Sequence, residues 1–347
     1  MDSVKENLVK LDINDLIGCL SDQNKGIQTQ FKKFVDRTVD YRRKSSTIIA
    51  MRDLHNWIKR NIINVTRSYF KGECHLLDIA VGRGGDLDKW NKAGITSVFG
   101  FDASEDSINS IDPFNAGAKQ RLSMFNGINV KVHFEVGNAI RPSTILLNNI
   151  ESWLKENNTN GFQIISCQFA LHYFFEKESD LAILMQVVKK YLVKGGFFIG
   201  TTLDGQKIRN FFKARKLKEV SKKLFNIKID KFFKKDPYSN KYTFEIKDTF
   251  DQGNYFNTMG PSTEFVVDFE ELNRVAIEHS LVPFNKNIFE SYINLGKTEY
   301  SKIDSNVISF ENIHRLNKWE PKKGSREITQ DELELNGLYS TFIFQKN

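Results

Sequence analysis

Apolar residues recur every three or four positions in STIIAMRDLHNWIKRNIINVTRSYF (46–70), which predicts a helix with one buried stripe. Beyond it the rhythm changes, and short apolar runs alternate with helical stretches. The runs predict strands near 75–80, 97–102, 131–136, 162–168 and 195–202, with helices over 86–93, near 104–124, near 143–156 and over 177–192 between them. Regular alternation of this kind implies a parallel sheet covered by helices on both faces. From Lys241 to Asp268 the pattern breaks into short aromatic and β-branched runs separated by Gly253 and Gly260-Pro261, the mark of β-hairpins inserted into the alternation. A helix over 269–280, a strand near 288–293 and a terminal strand from Leu338 to Gln345 complete the reading. Residues 1–45 are polar with weak helical spacing and are expected to form a leading arm. The expected organisation is thus an arm (1–45) and one α/β domain (46–347) with an insertion over about 204–268.

Composition narrows the class. No run of eighteen uncharged apolar residues is present, and the first residues, MDSVKENLVKLD, lack a signal-peptide core, so an intracellular protein with no membrane span is expected. Three cysteines without a C-x-x-C pair and six scattered histidines argue against a disulfide framework or a metal site. Charge is unevenly spread. Between Gln206 and Asp236 twelve Lys/Arg face three acids, a local +9 in a chain whose total is +7. Phe211, Phe212, Phe225, Phe232 and Phe233 are interleaved with that charge, which predicts a basic amphipathic element near a phosphate backbone, with inward packing of the phenylalanines as the plainer alternative.

The most informative stretch is HLLDIAVGRGGDLDKW (75–90). An apolar run ending in Asp78 meets Gly82, Gly84 and Gly85 and then a helix start at Asp86, so a strand, a tight turn and a helix follow one another. Glycines belong where backbone turns with positive φ or touches a ligand closely. Asp102, at the end of the next strand, stands twenty residues beyond Gly82, where a carboxylate can accept both hydroxyls of a ribose. A dinucleotide site is disfavoured, because Leu87 occupies the third glycine position of G-x-G-x-x-G and Asp86 would repel a pyrophosphate. A carboxylate there suits a ligand bearing an ammonium or sulfonium group, and S-adenosylmethionine bears both. The plainer alternative makes Asp86 a helix cap and Asp102 a strand-end turn residue.

At the end of the fourth strand, IISCQFALHYFFEKESD crowds Gln168, Phe169, His172, Tyr173 and Phe174 onto the sheet edge that faces the ligand crevice of an open α/β fold. Rings there can sandwich a planar base, and His172 can donate to it. With this constellation in place, RDLHNWIK (52–59), LDIAVGRGGDLDKW (77–90), FDAS (101–104), SCQFALHYFF (166–175), GGFFIGTT (195–202), STEFVVDF (262–269) and LYSTFIF (338–344) together resemble the eukaryotic and viral mRNA cap guanine-N7 methyltransferases.

That resemblance implies a class I Rossmann-like AdoMet methyltransferase with a mostly parallel seven-stranded sheet, S-adenosyl-L-methionine as donor without a metal, and 5'-capped RNA (GpppRNA) as acceptor. Other capping-enzyme domains or an RNA polymerase are the further partners it suggests, in the nucleus, or the cytoplasm for a viral enzyme. Lys59, Asp78, Gly82, Asp86, Asp102, Asn138 and Gln168 match donor-side positions. In that matching Lys59 reaches the donor's carboxylate, Asp86 its ammonium and Asp102 its ribose. His55, Phe169, His172, Tyr173, Glu264 and Tyr339 match the guanine pocket. Four positions depart from the family's usual residues: Ala80 stands for a glycine, Asn138 for an acid near the adenine, His55 for an asparagine and Ala170 for a hydroxylated residue. Taken without the resemblance, Lys59 and Glu264 read as exposed surface charges. Because guanine N7 carries a lone pair and no proton, no side chain is expected to act as a general base; proximity and electrostatics supply the catalysis. The competing classes are a methyltransferase for another RNA position or a small molecule, and a non-catalytic methyltransferase-like subunit.

Overall fold

Helix α1 (Ile49–Ser68) buries Met51, Leu54, Ile58 and Ile62 along one stripe, as the three- and four-residue spacing dictates, and leads into the first strand. The computed structural model describes residues 48–112, 115–247, 261–284, 306–317, 319 and 326–347, all within the unit Ser46–Asn347. The predicted leading arm, Gly253 and Gly260 of the insertion, and the strand expected near 288–293 lie outside the described residues.

The alternation then runs β1 (His75–Ile79), α2 (Leu87–Ala93), β2 (Ser97–Asp102), α3 (Glu105–Asn109), α4 (Ala118–Met124), β3 (Lys131–Val136), α5 (Thr144–Glu156), β4 (Phe162–Gln168), a 3-10 turn (Leu171–Phe175), α6 (Glu178–Tyr191) and β5 (Leu192–Leu203). The single helix expected near 104–124 is two short ones. Ser104 caps the first through its side chain, and Ser110 leaves helical geometry just ahead of the Asp112-Pro113 pair, which a helix would not tolerate. After β5 come α7 (Gly205–Arg215), β6 (Glu219–Ser221), β7 (Phe225–Lys228), β8 (Lys241–Ile246), β9 (Ser262–Phe265), α8 (Phe269–Glu278), β10 (Leu281–Pro283), β11 (Val307–Ser309), α9 (Phe310–Asn317), α10 (Gln330–Gly337) and β12 (Tyr339–Lys346).

Spatial order in the main sheet is β3-β2-β1-β4-β5-β12-β10, parallel from β3 to β5, with β12 antiparallel to β5 and β10. Among the described residues its strands number eight rather than the expected seven, because β11 also pairs along β12. Order reverses between β1 and β4, so the crevice of an open α/β sheet falls at their C-terminal ends. Alternation along the strands divides the core between the faces. Phe197 and Ile199 pack with α1 on one side, while Phe198 packs on the other among residues of α5, α6 and α8. Each such buried side chain contributes roughly 1.5–3 kcal/mol. Gly200 is required where β5 is clasped, since a Cβ would meet the Cys167 carbonyl oxygen at 2.1 Å and the Phe342 ring at 2.4 Å.

The segment read as one basic amphipathic element is two structures. Residues 205–215 are helix α7, whereas 219–228 form the first two strands of a separate antiparallel sheet, β6-β7-β8-β9. Phe211, Phe212 and Phe225 pack inward, as the plainer alternative expects, while Phe233 is half-buried and Phe232 stands 55% exposed.

Candidate functional site

The turn after β1 places Ala80, Gly82 and Gly84 at φ +58, +55 and +68. At Gly82 a Cβ would find nothing within 4 Å, so the glycine keeps open space beside the turn. Its N–H donates to Asp102 Oδ2 at 2.8 Å, and the N–H of Ser104 donates to Oδ1 at 2.8 Å. Asp102 thereby ties the glycine turn to the end of β2 and retains two lone pairs for a ligand.

Asp86 does not cap α2, whose N-terminus receives no side-chain hydrogen bond from it. Its buried carboxylate instead pairs through Oδ1 with Lys59 Nζ at 2.6 Å and Lys89 Nζ at 2.8 Å. Burial pushes the carboxyl up, but the two ammonium groups outweigh it and hold Asp86 well below the usual carboxylate range. Lys59, read from sequence alone as exposed, keeps only 12% of its side chain accessible. Lys89 was absent from the sequence prediction; the signal was its spacing of three from Asp86 on one helix turn. Asp78 sits behind this group in register with Ser166 and Gly100. Burial and the neighbouring Asp86 charge raise its pKa to about 8, and Oδ1 has no hydrogen-bond partner. Gln168 receives the Thr201 hydroxyl at 2.9 Å and donates to Ser166 Oγ at 3.2 Å. Asn138 is exposed and spends its side-chain oxygen on the N–H groups of Ile140 (2.8 Å) and Arg141 (3.2 Å).

The residues predicted for the guanine pocket fall into two groups. Phe169, directly after β4, adopts φ +57 and is held there by an N–H bond of 2.7 Å to the Thr201 carbonyl. A non-glycine residue in this region costs roughly 1–2 kcal/mol. Strain of that kind gathers at functional sites. Its ring stacks on His55 (5.1 Å between centroids) and meets Tyr339 edge-on at 5.5 Å, with Phe310 completing the cluster. His55 is half-buried, desolvation lowers its pKa to about 3, and the neutral ring donates from Nε2 to Asn336 Oδ1 at 2.6 Å. His55 and Lys59, four residues apart on α1, share one helix face and reach the aromatic cluster and the Asp86 group respectively. Lys59 Nζ lies 5.6 Å from the Phe169 ring centre, so the two sides of the site touch.

In the second group Glu264 is buried, which overturns its reading as an exposed strand glutamate. Pairing of β8 with β9 sets Tyr242 opposite Glu264; the phenol donates to Oε2 at 2.8 Å, and Ser262 donates to Oε1 at 3.0 Å. Sequence reasoning did not find Tyr242, since alternation in YTFEI marks its face but not its cross-strand partner. His172 Nδ1 lies 3.8 Å from Glu264 Oε2, and its buried Nε2 has no partner. Burial lowers the His172 pKa against the pull of Glu264. Tyr173 packs on His172 at 4.1 Å yet remains 45% exposed; burial of part of its ring, then the charges of Glu264 and Asp102, raise its phenol pKa. One of those carboxylates belongs to each side of the site. Among the described residues no group of three or more His, Cys, Asp or Glu could hold a metal ion, and no helix is long and apolar enough to cross a membrane.

Comparison with known proteins gives the arrangement its context. The mRNA cap guanine-N(7) methyltransferase of Schizosaccharomyces pombe is 28% identical over 313 residues, covering 88% of this chain and 78% of its own. The mRNA cap guanine-N(7) methyltransferase 1 of Arabidopsis thaliana is 28% identical over 319 residues, covering 88% and 76%. Among solved structures, the CcbJ methyltransferase of Streptomyces caelestis aligns with a TM-score of 0.47 at 12% identity, over 83% of this chain and 88% of that one. The profile of the mRNA (guanine-N(7))-methyltransferase domain matches residues 21–347, and the chain belongs to that family.

Proposed function

We propose that this chain transfers a methyl group from S-adenosylmethionine to N7 of the cap guanine of GpppRNA. The observation that carries the reading is the meeting of two unlike sites: a buried Asp86 paired with lysines touches, through Lys59 and Phe169, the corner that leads to a buried Glu264. The donor side fits the donor chemically. Opposite charges on Lys59 and Asp86 match an amino-acid zwitterion, Asp102 has lone pairs for ribose hydroxyls, Gly82 leaves space, and the unpartnered Asp78 Oδ1 awaits a polar contact. Asn138 and Gln168 would flank the adenine. When bound, the donor supplies an electrophilic sulfonium methyl.

Every other task falls to the protein. Phe169, His55, Tyr173 and Tyr339 would clamp the purine, and Glu264 can accept N1–H and N2–H together because each of its oxygens already takes only one hydroxyl. The same carboxylate offsets the positive charge that N7 methylation places on the ring. His172, whose Nε2 has no partner, would hydrogen-bond the base. No proton leaves N7, so no general base is needed, and catalysis rests on alignment within near-attack distance. On this reading the enzyme works where capped transcripts are made, in the nucleus or, for a viral enzyme, the cytoplasm, with capping-enzyme domains or an RNA polymerase as partners. The test is incubation with labelled donor and either GpppRNA or triphosphate-ended RNA, then nuclease digestion. Label recovered as 7-methylguanosine from capped RNA alone is the expected result; label at any other atom, or in uncapped RNA, rejects the proposal.

A further inference from the structure

The connection between β7 and β8 carries three exposed lysines, Lys231, Lys234 and Lys235, and the exposed ring of Phe232. The exposed Lys218 reaches the same place, its Nζ 5.8 Å from the Phe232 ring centre and donating to the Asp230 carbonyl at 3.1 Å. Of the neighbouring cations, Lys228 pairs with Glu219, Lys241 with Asp230, and both Arg215 and Lys222 with Glu334. With Lys218 the connection sets four lysines against Asp230 and Asp236, a local balance of +2 beside the Phe232 ring.

The connection is also anchored beside the acceptor side of the site. Ser239 N–H donates to the Phe175 carbonyl at 3.0 Å and its hydroxyl to the Glu176 carbonyl at 2.8 Å, while Tyr238 stacks on Phe175 at 6.0 Å. Phe175 closes the 3-10 turn that carries His172 and Tyr173. Arg209 braces the other end through the Lys234 carbonyl at 2.7 Å. A base-stacking ring flanked by lysines is the usual grip on single-stranded nucleic acid, with phosphates taken by charge and a base by the ring.

We infer that Lys218, Lys231, Phe232, Lys234 and Lys235 form the seat of the single-stranded RNA just downstream of the cap. The inference rests on the proposed cap methylation, so its test is read in two independent ways. Unaltered protein, Phe232→Ala and the triple variant K231Q/K234Q/K235Q are compared for methylation of GpppG and of a ten-nucleotide GpppRNA, and for binding of an uncapped fluorescent ten-nucleotide RNA across a salt series. Matching thermal unfolding and an unchanged KM for GpppG establish that the variants are folded and their pocket intact.

The expected result is a KM for GpppRNA raised about tenfold in the triple variant, with its log–log salt slope for uncapped RNA reduced by about 2. Phe232→Ala should lower RNA affinity about fivefold with the slope kept. Affinities and KM within twofold of the unaltered protein in both variants would overturn the inference, leaving the patch as a solvated face or a dock for an acidic protein. Failure of the unaltered protein to methylate GpppG, with the RNA-binding losses still present, would instead remove the proposed function and leave the RNA seat standing.

Discussion

The charged side of the site is drawn from two nearby stretches of chain, Lys59 on α1 and Asp86 with Lys89 around the start of α2, and its acid has two partners. The aromatic side gathers His55, Phe169, His172, Tyr242, Glu264 and Tyr339 from across the whole domain, and leaves the buried His172 Nε2 without a partner. Surplus pairing suits a site that must stay folded while exchanging a charged ligand. Missing pairing suits one whose last partner is the substrate base. A ligand completes the second, whereas in the first it competes at Asp86 and finds an open partner at Asp78 Oδ1.

The largest test of this contrast is Asp86→Ala, which strands Lys59 and Lys89 in a buried setting. Urea denaturation should show a loss of roughly 3–5 kcal/mol, and adding Lys89→Met should recover at least half of it. Equal stability of single mutant and parent would mean the pairing is incidental. On the acceptor side, Glu264→Gln keeps an acceptor for Tyr242 but removes the charge. It should lower kcat by about 10²–10³ with the donor's dissociation constant, measured by calorimetry, within twofold. Asp102→Ala should do the reverse, weakening donor binding tenfold or more, because the glycine turn loses its tether. A Glu264 variant that loses donor affinity and keeps kcat would dissolve the division of labour.

Protonation sharpens the contrast at a smaller scale. Asp78 holds its proton in the folded chain up to about pH 8, whereas an unfolded aspartate loses it near 3.8, so this group's contribution to stability falls as pH rises between those values. His55 acts oppositely, since its folded pKa of about 3 makes stability rise with pH until the unfolded value of 6.5 is passed. Below about pH 6.5 the two offset, and above it Asp78 acts against no such counterweight. Stability should therefore decline by up to about 1.4 kcal/mol per pH unit from pH 6.5 to 8, and Asp78→Asn should flatten that decline. The smallest effect is expected at Ala80, whose φ of +58 favours glycine. Relief of that strain in Ala80→Gly is nearly cancelled by the freer unfolded chain, giving a change of less than about 1 kcal/mol in denaturation midpoint analysis.

The glycine turn and its surroundings were legible because their signals are local: Gly82 and Asp102 are twenty residues apart in one βαβ unit, and every strand from β1 to β5 follows its apolar run to within a few residues. Even there Lys89 was overlooked, although its spacing from Asp86 was visible. Tyr242 and Phe310 were not accessible at all. Their places depend on the β8–β9 register and on α9 folding back over α1, which no local pattern encodes. For Lys59 and Glu264, general statistics on charged residues pointed outward and the structure buries both, since each meets hydroxyl or carboxylate partners remote in sequence.

Strand β12 is inserted between β5 on one side and β10 with β11 on the other, and its first residue, Tyr339, is part of the aromatic corner. During synthesis, therefore, the sheet cannot close and the aromatic corner has no floor until residues 339–346 have left the ribosome. A nascent chain arrested before that point would carry its glycine turn ready-made beside an open β5 edge, exposed to chaperones and to stray strands, and deletion of these eight residues should abolish soluble protein rather than merely weaken catalysis.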